Sequence, residues 1–452
     1  MKGYFLPDIS ITEERRRINR LPLTLPSLAP SQMSDISDRL VNAGEKLFSE
    51  SIFKIVDWID AVAQRWLDPH DAIRKEAESL LPPVTGASKE MVGFILEDLF
   101  KNLTRPVLIQ LLEEELGDPS LCDRFRPKRK GIGFTRAFGP RMITHILPGN
   151  IPGTAVMSLV CGLLAKSANL AKVSSEELML PVLFARSLQQ VRPELAESMA
   201  VLTWDNNAVA VTEAAFQKAD LAIIYGSEET IAKIREKIPT TTRAIFHGHR
   251  LSLGVIARES IRSEVAEEAA VDIALYDQRG CLSPHVYYVE SSGSASPLEF
   301  AQWLAQALYA VSNRLPKGET SPDEAARIQQ LRGSLPLRGG KVLPSPKGVD
   351  WTVLYDPEPH FSVSPLSRTI WVKPVQDMAE IPSHLEPIRA SLQAVGFAIP
   401  EERQPDLITS MAKMGVCRIC PIGRMQTPPL TWRHDGQFRL LNLLRFVDWE
   451  HA

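Results

Sequence analysis

Cys281 stands in the stretch Asp277-Gln278-Arg279-Gly280-Cys281-Leu282-Ser283-Pro284-His285, directly after a glycine and ahead of the apolar run Val286-Tyr287-Tyr288-Val289. A glycine lets the backbone approach a ligand with no Cβ in the way, and a strand behind a thiol holds it still. The pattern suits a nucleophile at the entrance to a strand. Packing is the competing reading, because free cysteine behaves as a small hydrophobe unless its environment activates it. A second candidate is Asn150 in Pro148-Gly149-Asn150-Ile151-Pro152-Gly153, a turn between an expected strand and a helix. Asparagine there serves as a cap or turn residue, or its amide donates to a developing oxyanion, a role worth about 10²–10³ in rate. A third is Gly226-Ser227, between the apolar run Leu221 to Tyr225 and a helix. Backbone N–H groups at such a helix start receive phosphate; Ser227 as a plain cap is the equal alternative.

Other motifs carry less. His247-Gly248-His249 and Cys417-Arg418-Ile419-Cys420 suggest metal ligands, but a single C-x-x-C without a partner pair at zinc spacing favours the packing reading. Cys122 and Cys161 read as packing residues, and His249 and His285 as structural histidines with an outside claim on a proton transfer. Gly131-Ile132-Gly133-Phe134-Thr135-Arg136 lacks the last glycine of a dinucleotide fingerprint, and the chain has neither a GK[ST] nor an HExxH word.

These residues need a scaffold, and the pattern supplies one. The start, to about Pro30, reads as an extended surface arm. Apolar residues at helical spacing from Asp35 to Trp66 and from Lys89 to Leu116, the latter broken or kinked at Pro106, predict a helical first third. From about Gly131 short strands alternate with helices: strands at 143–147, 169–173, 199–203, 221–225 and 251–257, with helices at 154–164, 181–190, 213–218, 228–237 and 264–276 between them. Such alternation predicts an α/β fold with mainly parallel sheets, whose ligands bind beyond the carboxyl ends of the strands. Helices at 297–311 and within 315–348 and a strand at 369–372 follow. The end, 438–449, is strand or helix by its periodicity.

The chain has 452 residues, 44% hydrophobic and 23% charged, which excludes disordered and fibrous classes and predicts two or three domains. A net charge of -3 gives no electrostatic reason to expect nucleic acid. Five cysteines, few and odd in number, point to a reducing compartment. The start lacks the pattern of a signal peptide, and the longest apolar run, Ala155 to Ala165, is too short to span a bilayer. A cytoplasmic protein is expected.

Asn150 in its Gly/Pro turn, Lys172 on a strand, Gly226-Ser227 at a helix start and Gly280-Cys281, in that order, resemble the aldehyde dehydrogenase superfamily. The words His145 to Gly153, Phe246-His247-Gly248-His249-Arg250, Asp277 to His285 and Trp432-Arg433-His434-Asp435-Gly436 are similar to those of one branch, the acyl-CoA reductases typified by the fatty-acid reductase subunit of bacterial luminescence, LuxC. The resemblance covers about Gly131 to the C-terminus and, more loosely, the helical part before it. It implies a helical N-terminal region (1–123) belonging to the nucleotide-binding domain, a nucleotide-binding α/β domain (124–250), a catalytic domain with the thiol (251–420) and a C-terminal segment (421–452) for oligomerisation or return to the nucleotide-binding domain. It also implies a homo-oligomer.

By the same resemblance Cys281 is the nucleophile, Asn150 with the Cys281 N–H forms the oxyanion hole, Lys172 meets the adenosine ribose and Gly226-Ser227 lies under the pyrophosphate. Aldehyde-oxidising relatives carry a glutamate before a Gly-Gly-Lys word. Aligning Gly248-His249-Arg250 with it puts Phe246 or His247 in that place. Without a carboxylate base, hydrolysis of an acyl-enzyme is poorly catalysed, so thioester chemistry is favoured over oxidation to an acid. Ser175 stands three places after Lys172, where NAD-preferring relatives have an acidic residue, which admits NADPH with NADH as the alternative. The expected activity is NAD(P)H-dependent reduction of an acyl thioester, on CoA or a protein, to an aldehyde, with CoA as product or co-substrate. The resemblance brings in an acyl-transferase or an acyl-protein synthetase as partner enzymes. A CoA-acylating aldehyde dehydrogenase running oxidatively and a non-catalytic thioester- or nucleotide-binding subunit are the alternatives.

Overall fold

The computed structural model describes residues 1–6, 9–19 and 21–450. The chain forms two compact units: the first comprises Met1–Thr85, Gly93–Gly248 and the segment from Pro429, the second Gly86–Val92 and His249–Pro428. The change of unit at Gly248 lies two residues before the expected boundary at 250. The C-terminal change falls at 428, beyond the expected 420.

The first unit is built on a five-stranded, all-parallel sheet. Its spatial order is Met199–Leu202, Ala168–Lys172, Met142–Ile146, Leu221–Tyr225, Arg243–His247. The first three of these strands are buried along their whole length, as a parallel sheet covered on both faces requires. The order runs outward from the Met142–Ile146 strand in both directions, so the connections diverge beside it. That divergence opens a crevice at the carboxyl ends. The expected strands and the helix Thr154–Leu164 lie within a residue or two of their observed places; the edge strand Arg243–His247 was not anticipated.

The N-terminal third departs from expectation in three places. Instead of an extended arm, Thr12–Ile18 and Leu21–Ser27 pair as an antiparallel hairpin. The alternation Leu21, Leu23, Leu25 turns Leu23 and Leu25 into the interior, the period-2 signature of a half-buried strand. Phe5 adds to the sheet edge by exchanging backbone bonds with Val201 at 2.8 and 2.9 Å. The expected long helix is two, Pro30–Ser49 and Ile52–Leu67, split where Ser51 Oγ accepts the Phe53 N–H and Asp123 accepts the Ile52 N–H at 2.9 Å. A helix at Ala72–Thr85 escaped notice because Pro82 and Pro83 occupy its last turns. The break at Pro106 is real: Lys89–Lys101 ends and Arg105–Leu116 begins there, with the proline in the first turn. At the other end Arg445–Trp449 is a strand, paired antiparallel with Phe134–Phe138.

The second unit carries a seven-stranded sheet, ordered Lys341–Pro344, Thr352–Tyr355, Thr369–Val375, Pro284–Glu290, Leu251–Ile256, Leu392–Ala398, Arg418–Pro421. Only the first pair is antiparallel. One face packs on the helices Ser263–Ala274 and Pro297–Arg314 through Ala266, Ala270, Phe300, Leu304 and Tyr287. Among the described residues no helix is long and apolar enough to cross a membrane.

Candidate active site

In the first unit the carboxyl ends of the parallel strands open into a cleft of about 690 Å³, within the range of small-molecule and cofactor sites. Its floor is Leu147-Pro148-Gly149 and Lys172 to Ser175; Thr203 to Ala208, Tyr225-Gly226 and Thr230 form the walls, and Glu14 and Arg16 of the hairpin line it too. Lys172, Ser175 and Gly226 therefore share one cavity. Ser227 lies beside it as the cap of the helix Glu228–Arg235, its Oγ accepting the Thr230 N–H at 3.3 Å. Glu176 is exposed and is not among the lining residues, so the cleft at that strand end is lined by Ser174 and Ser175.

Lys172 is mostly buried, bonds to Asn206 Oδ1 and lies over the Trp204 ring, 5.5 Å from its centroid. Burial pushes its ammonium down to about 8, partly opposed by Asp205. Gly149 packs so closely on the Ser174 side chain that a Cβ would sit 2.5 Å from its Oγ. Asn150 is exposed in the following turn and lies outside the cleft lining. The turn itself is pinned from below: Gly153 adopts φ +102 and its N–H donates to the fully buried Glu177 carboxylate at 2.6 Å. Burial pushes Glu177 up to about 8. His145, in the same word, is a packing residue: Ser158 Oγ and Asn169 Oδ1 lie 2.9 and 3.0 Å from its two ring nitrogens, and burial pushes it down to about 4.

At the end of the Arg243–His247 strand the two residues proposed for the missing glutamate's place separate. Phe246 joins the apolar cluster of Phe216, Ile224 and Ile234 and is covered by Arg235. His247 Nδ1 instead donates to Asp435 Oδ2 at 2.6 Å. Its ring stacks on Tyr225 (4.4 Å, 22°) and on His434 (4.6 Å, 30°), whose rings lie 6.2 Å from each other. His434 and Asp435 come from the word Trp432 to Gly436, which carried no assigned role.

In the second unit Cys281 is partly exposed on the turn that enters the strand Pro284–Glu290. Cys122, Cys161 and Cys420 are buried, which pushes their thiols up to about 12, 11 and 11 and leaves them inert. Cys417 is the other partly exposed thiol; its Sγ points at Gly415 O, 3.4 Å away. The Cys281 turn is closed by mutual bonds between Gly280 and Ser283, at 3.1 Å to Oγ and 3.0 Å between backbones. Ser252 Oγ donates to the Cys281 carbonyl at 2.7 Å and accepts the Ala394 N–H. Ser252 sits where its strand slips register against both neighbours, an irregularity of the kind that re-aims residues beside active sites.

Immediately upstream Tyr276, Asp277 and Gln278 all have left-handed backbones, with φ of 55, 50 and 63. A second such run, Leu366, Ser367 and Arg368, packs against them. Gln278 locks the two together: its Nε2 donates to Pro284 O and Thr369 O at 2.8 Å each, and its Oε1 accepts the Thr369 N–H at 2.7 Å. Asp277 pairs with the fully buried Arg368 at 2.7 Å. His285 is buried and takes the Ser364 N–H on Nδ1 at 3.1 Å; burial pushes it down to about 4. Sequence reasoning missed Glu177, Gln278, Arg368 and Asp435, each of which has a partner 24 to 188 positions away.

Comparison with known proteins supplies the context. The family model described as acyl-CoA reductase (LuxC) matches residues 47–446. A long-chain acyl-protein thioester reductase of Aliivibrio fischeri is 26% identical over 438 residues, covering 96% of this chain and 88% of that protein. The Vibrio harveyi protein of the same name is 25% identical, covering 88% and 83%. Among solved structures, an NADP-dependent glyceraldehyde-3-phosphate dehydrogenase from Bacillus halodurans C-125, complexed with NADP, superposes with a TM-score of 0.75 at 15% identity, covering 98% and 96%. Aldehyde dehydrogenase 21 from Physcomitrella patens gives 0.74 at 11% identity, covering 99% and 97%. The fold is aldehyde-dehydrogenase-like.

Proposed function

We propose the following reaction for this chain, which belongs to the acyl-CoA reductase (LuxC) family: reduction of a long-chain acyl thioester to an aldehyde through a covalent intermediate on Cys281. Thioester reduction is the activity in the names of its relatives, and those names favour an acyl-protein over acyl-CoA as the acyl donor. The observation that carries the covalent route is the Cys281 turn. It holds a partly exposed thiol on a backbone fixed by Ser252, Ser283 and Gln278, whereas three of the other four thiols are buried and inert. The thiolate attacks the acyl carbon, the new C–S bond forms as the old one breaks, and the free thiol departs. Asn150 and the Cys281 N–H are the proposed oxyanion donors.

A nicotinamide dinucleotide, when bound, supplies the hydride that turns the acyl group into the aldehyde. The first-unit cleft fits such a group: a cationic Lys172 and the helix start at Gly226-Ser227 face one cavity at the strand ends. Ser175 and Arg16 on its lining, from which Glu176 is absent, support NADPH over NADH. A homo-oligomer and a supplying acyl-transferase or acyl-protein synthetase complete the proposal. The test is a single turnover: labelled acyl-CoA without cofactor leaves label on the Cys281 peptide, and NADPH then releases it as aldehyde. No label, with Cys281→Ser fully active, overturns it.

A further inference from the structure

We infer that the hairpin of Thr12–Ile18 and Leu21–Ser27 sets the cofactor preference of the cleft: Arg16 receives the 2′-phosphate of NADPH, and Glu14, by holding Arg16, opposes it. The inference rests on the nucleotide reading proposed above. It concerns a part of the chain outside residues 47–446, the stretch that the family model matches. All the residues involved belong to the first unit.

The alternation along the hairpin makes these two charges an anomaly. Glu14, Arg16 and Ile18 share one face of their strand, and the ladder sets them opposite Leu25, Leu23 and Leu21. Residues directly opposite in an antiparallel pair lie on the same face. That face is the inward one, since Leu23 and Leu25 are buried. An inward face is expected to be apolar throughout. Two ionised side chains among leucines depart from that rule, and such departures concentrate at functional positions. Glu14, Arg16, Ile18 and Leu25 all line the cleft, whereas Glu13, Arg15 and Arg17, on the other face, do not.

Position along the sheet assigns the part of the ligand. The N-terminal residues tie the hairpin to the sheet: the Gly3 N–H donates to Thr24 O at 2.9 Å, and Phe5 pairs with Val201 of the edge strand Met199–Leu202. The hairpin therefore stands on the side of the cleft next to Lys172, whose strand is the neighbour of that edge. The Gly226 helix start follows a strand two places further across the sheet from that of Lys172. With the pyrophosphate at Gly226-Ser227 and a ribose at Lys172, the part that reaches the hairpin is the adenosine end, where NADPH and NADH differ by a phosphate.

The pair can read that difference. Glu14 Oε1 lies 2.7 Å from Arg16 Nε, with the two side chains 39% and 55% exposed, so water screens the ion pair and it opens at little cost. A guanidinium has five N–H donors in a planar fork, more than one carboxylate takes up, and it meets a phosphate with two parallel hydrogen bonds. Bringing the phosphate up to Arg16 places its charge beside the Glu14 carboxylate, which costs affinity. NADH brings no such charge, and its ribose 2′-hydroxyl is a donor that a carboxylate accepts. Arg16 thus favours NADPH and Glu14 favours NADH, and the preference of the cleft is the difference between the two.

The experiment measures the Kd of NADPH and of NADH by energy transfer from Trp204 on the cleft wall, using the full chain as wild type, Arg16→Ala, Glu14→Gln and Arg15→Ala. The readout is the ratio of the NADH Kd to the NADPH Kd. We expect Arg16→Ala to lower this ratio about 10-fold, through NADPH alone, and Glu14→Gln to raise it about 3-fold or more. Arg15→Ala removes the same charge from the outward face and should leave the ratio within about 2-fold, because solvent screens it there. A NADH Kd unchanged by Arg16→Ala shows an intact cleft. A ratio that Arg16→Ala changes no more than Arg15→Ala does, or that Glu14→Gln fails to raise, overturns the hairpin's role while leaving the nucleotide site in place. Failure of the wild type to bind either cofactor overturns the nucleotide reading itself.

Discussion

Glu177→Gln isolates the carboxyl that anchors the Asn150 turn. Its Oε1 takes the Gly153 N–H at 2.6 Å, and its Oε2 has no hydrogen-bond partner among the described residues. Burial pushes the group from 4.5 to about 8. At about 1.4 kcal/mol per pH unit, ionising it costs the folded protein about 5 kcal/mol. The folded pKa lies above the unfolded one, so this stability is complete below about pH 4.5 and is lost as pH climbs through about 8. Between pH 5 and 8.5 the wild type should lose about 4 kcal/mol from this group alone. Glutamine keeps the acceptor for Gly153 but adds buried N–H donors, a pH-independent cost of about 1–3 kcal/mol. The variant should therefore be the less stable protein at pH 5 and the more stable at pH 8.5. Urea titrations over that range, taken as variant minus wild type, should show a difference that shifts by about 4 kcal/mol. His145 and Asp272, the latter pushed up to about 7 by burial, titrate in both proteins and cancel. A difference constant to within about 1 kcal/mol would refute the assignment of Glu177 as a buried neutral acid.

Lys172→Met should weaken NADPH binding about 10- to 100-fold, the worth of a charge-assisted hydrogen bond. Because burial holds Lys172 near 8, wild-type affinity should fall as pH rises past 8 while the variant stays flat; energy transfer from Trp204 on the cleft wall reports both. Arg16→Ala should raise the Kd for NADPH by about 10-fold and that for NADH by less than about 2-fold, because only the 2′-phosphate offers the guanidinium an extra charge. Asp277→Ala leaves Arg368 buried without its partner. It should cost about 3–5 kcal/mol of stability by urea titration and slow acylation of Cys281, four residues on.

Much of this was legible from the sequence where the signal is local. Runs such as Leu221 to Tyr225 and the helix Thr154–Leu164 declare themselves by periodicity, because short buried strands and capped helices are set by neighbours in the chain. The hairpin at residues 12–27 was missed because its prolines and charges resemble a loop, and only the Leu21, Leu23, Leu25 alternation marks it. The strand Arg243–His247 was missed because its ends are charged or polar and its partner is the strand Leu221–Tyr225, not itself. Asn150 illustrates the other limit. Its word is easily quoted, yet the structure places the side chain outside the cleft lining, while the adjacent Pro148 and Gly149 form the floor. Glycine spacing locates a backbone turn and is silent about where the one side chain within it points.

The Cys281 turn shows why the positioning residues are the least legible of all. Six non-glycine residues in two facing segments hold left-handed backbones, each costing about 1–3 kcal/mol. Local preference would dissolve such a loop. What opposes this is a buried polar lattice: Gln278 bonded to Pro284 and Thr369, Asp277 to Arg368 and to the Gly318 N–H, and Arg368 to the Leu315 carbonyl. A buried ion pair is a poor source of net stability, since desolvation consumes most of its attraction. An apolar pair of the same volume would stabilise the unit equally well. It would not fix two strained segments in one register, because apolar contacts are non-directional and hydrogen bonds are not. The lattice therefore trades stability for direction, and direction is what a thiol needs if it is to meet an acyl carbon repeatedly in one orientation. Residues 277, 278, 368 and 369 acquire this role only when the parallel strands Pro284–Glu290 and Thr369–Val375 are adjacent, a fact that no local window of the sequence contains.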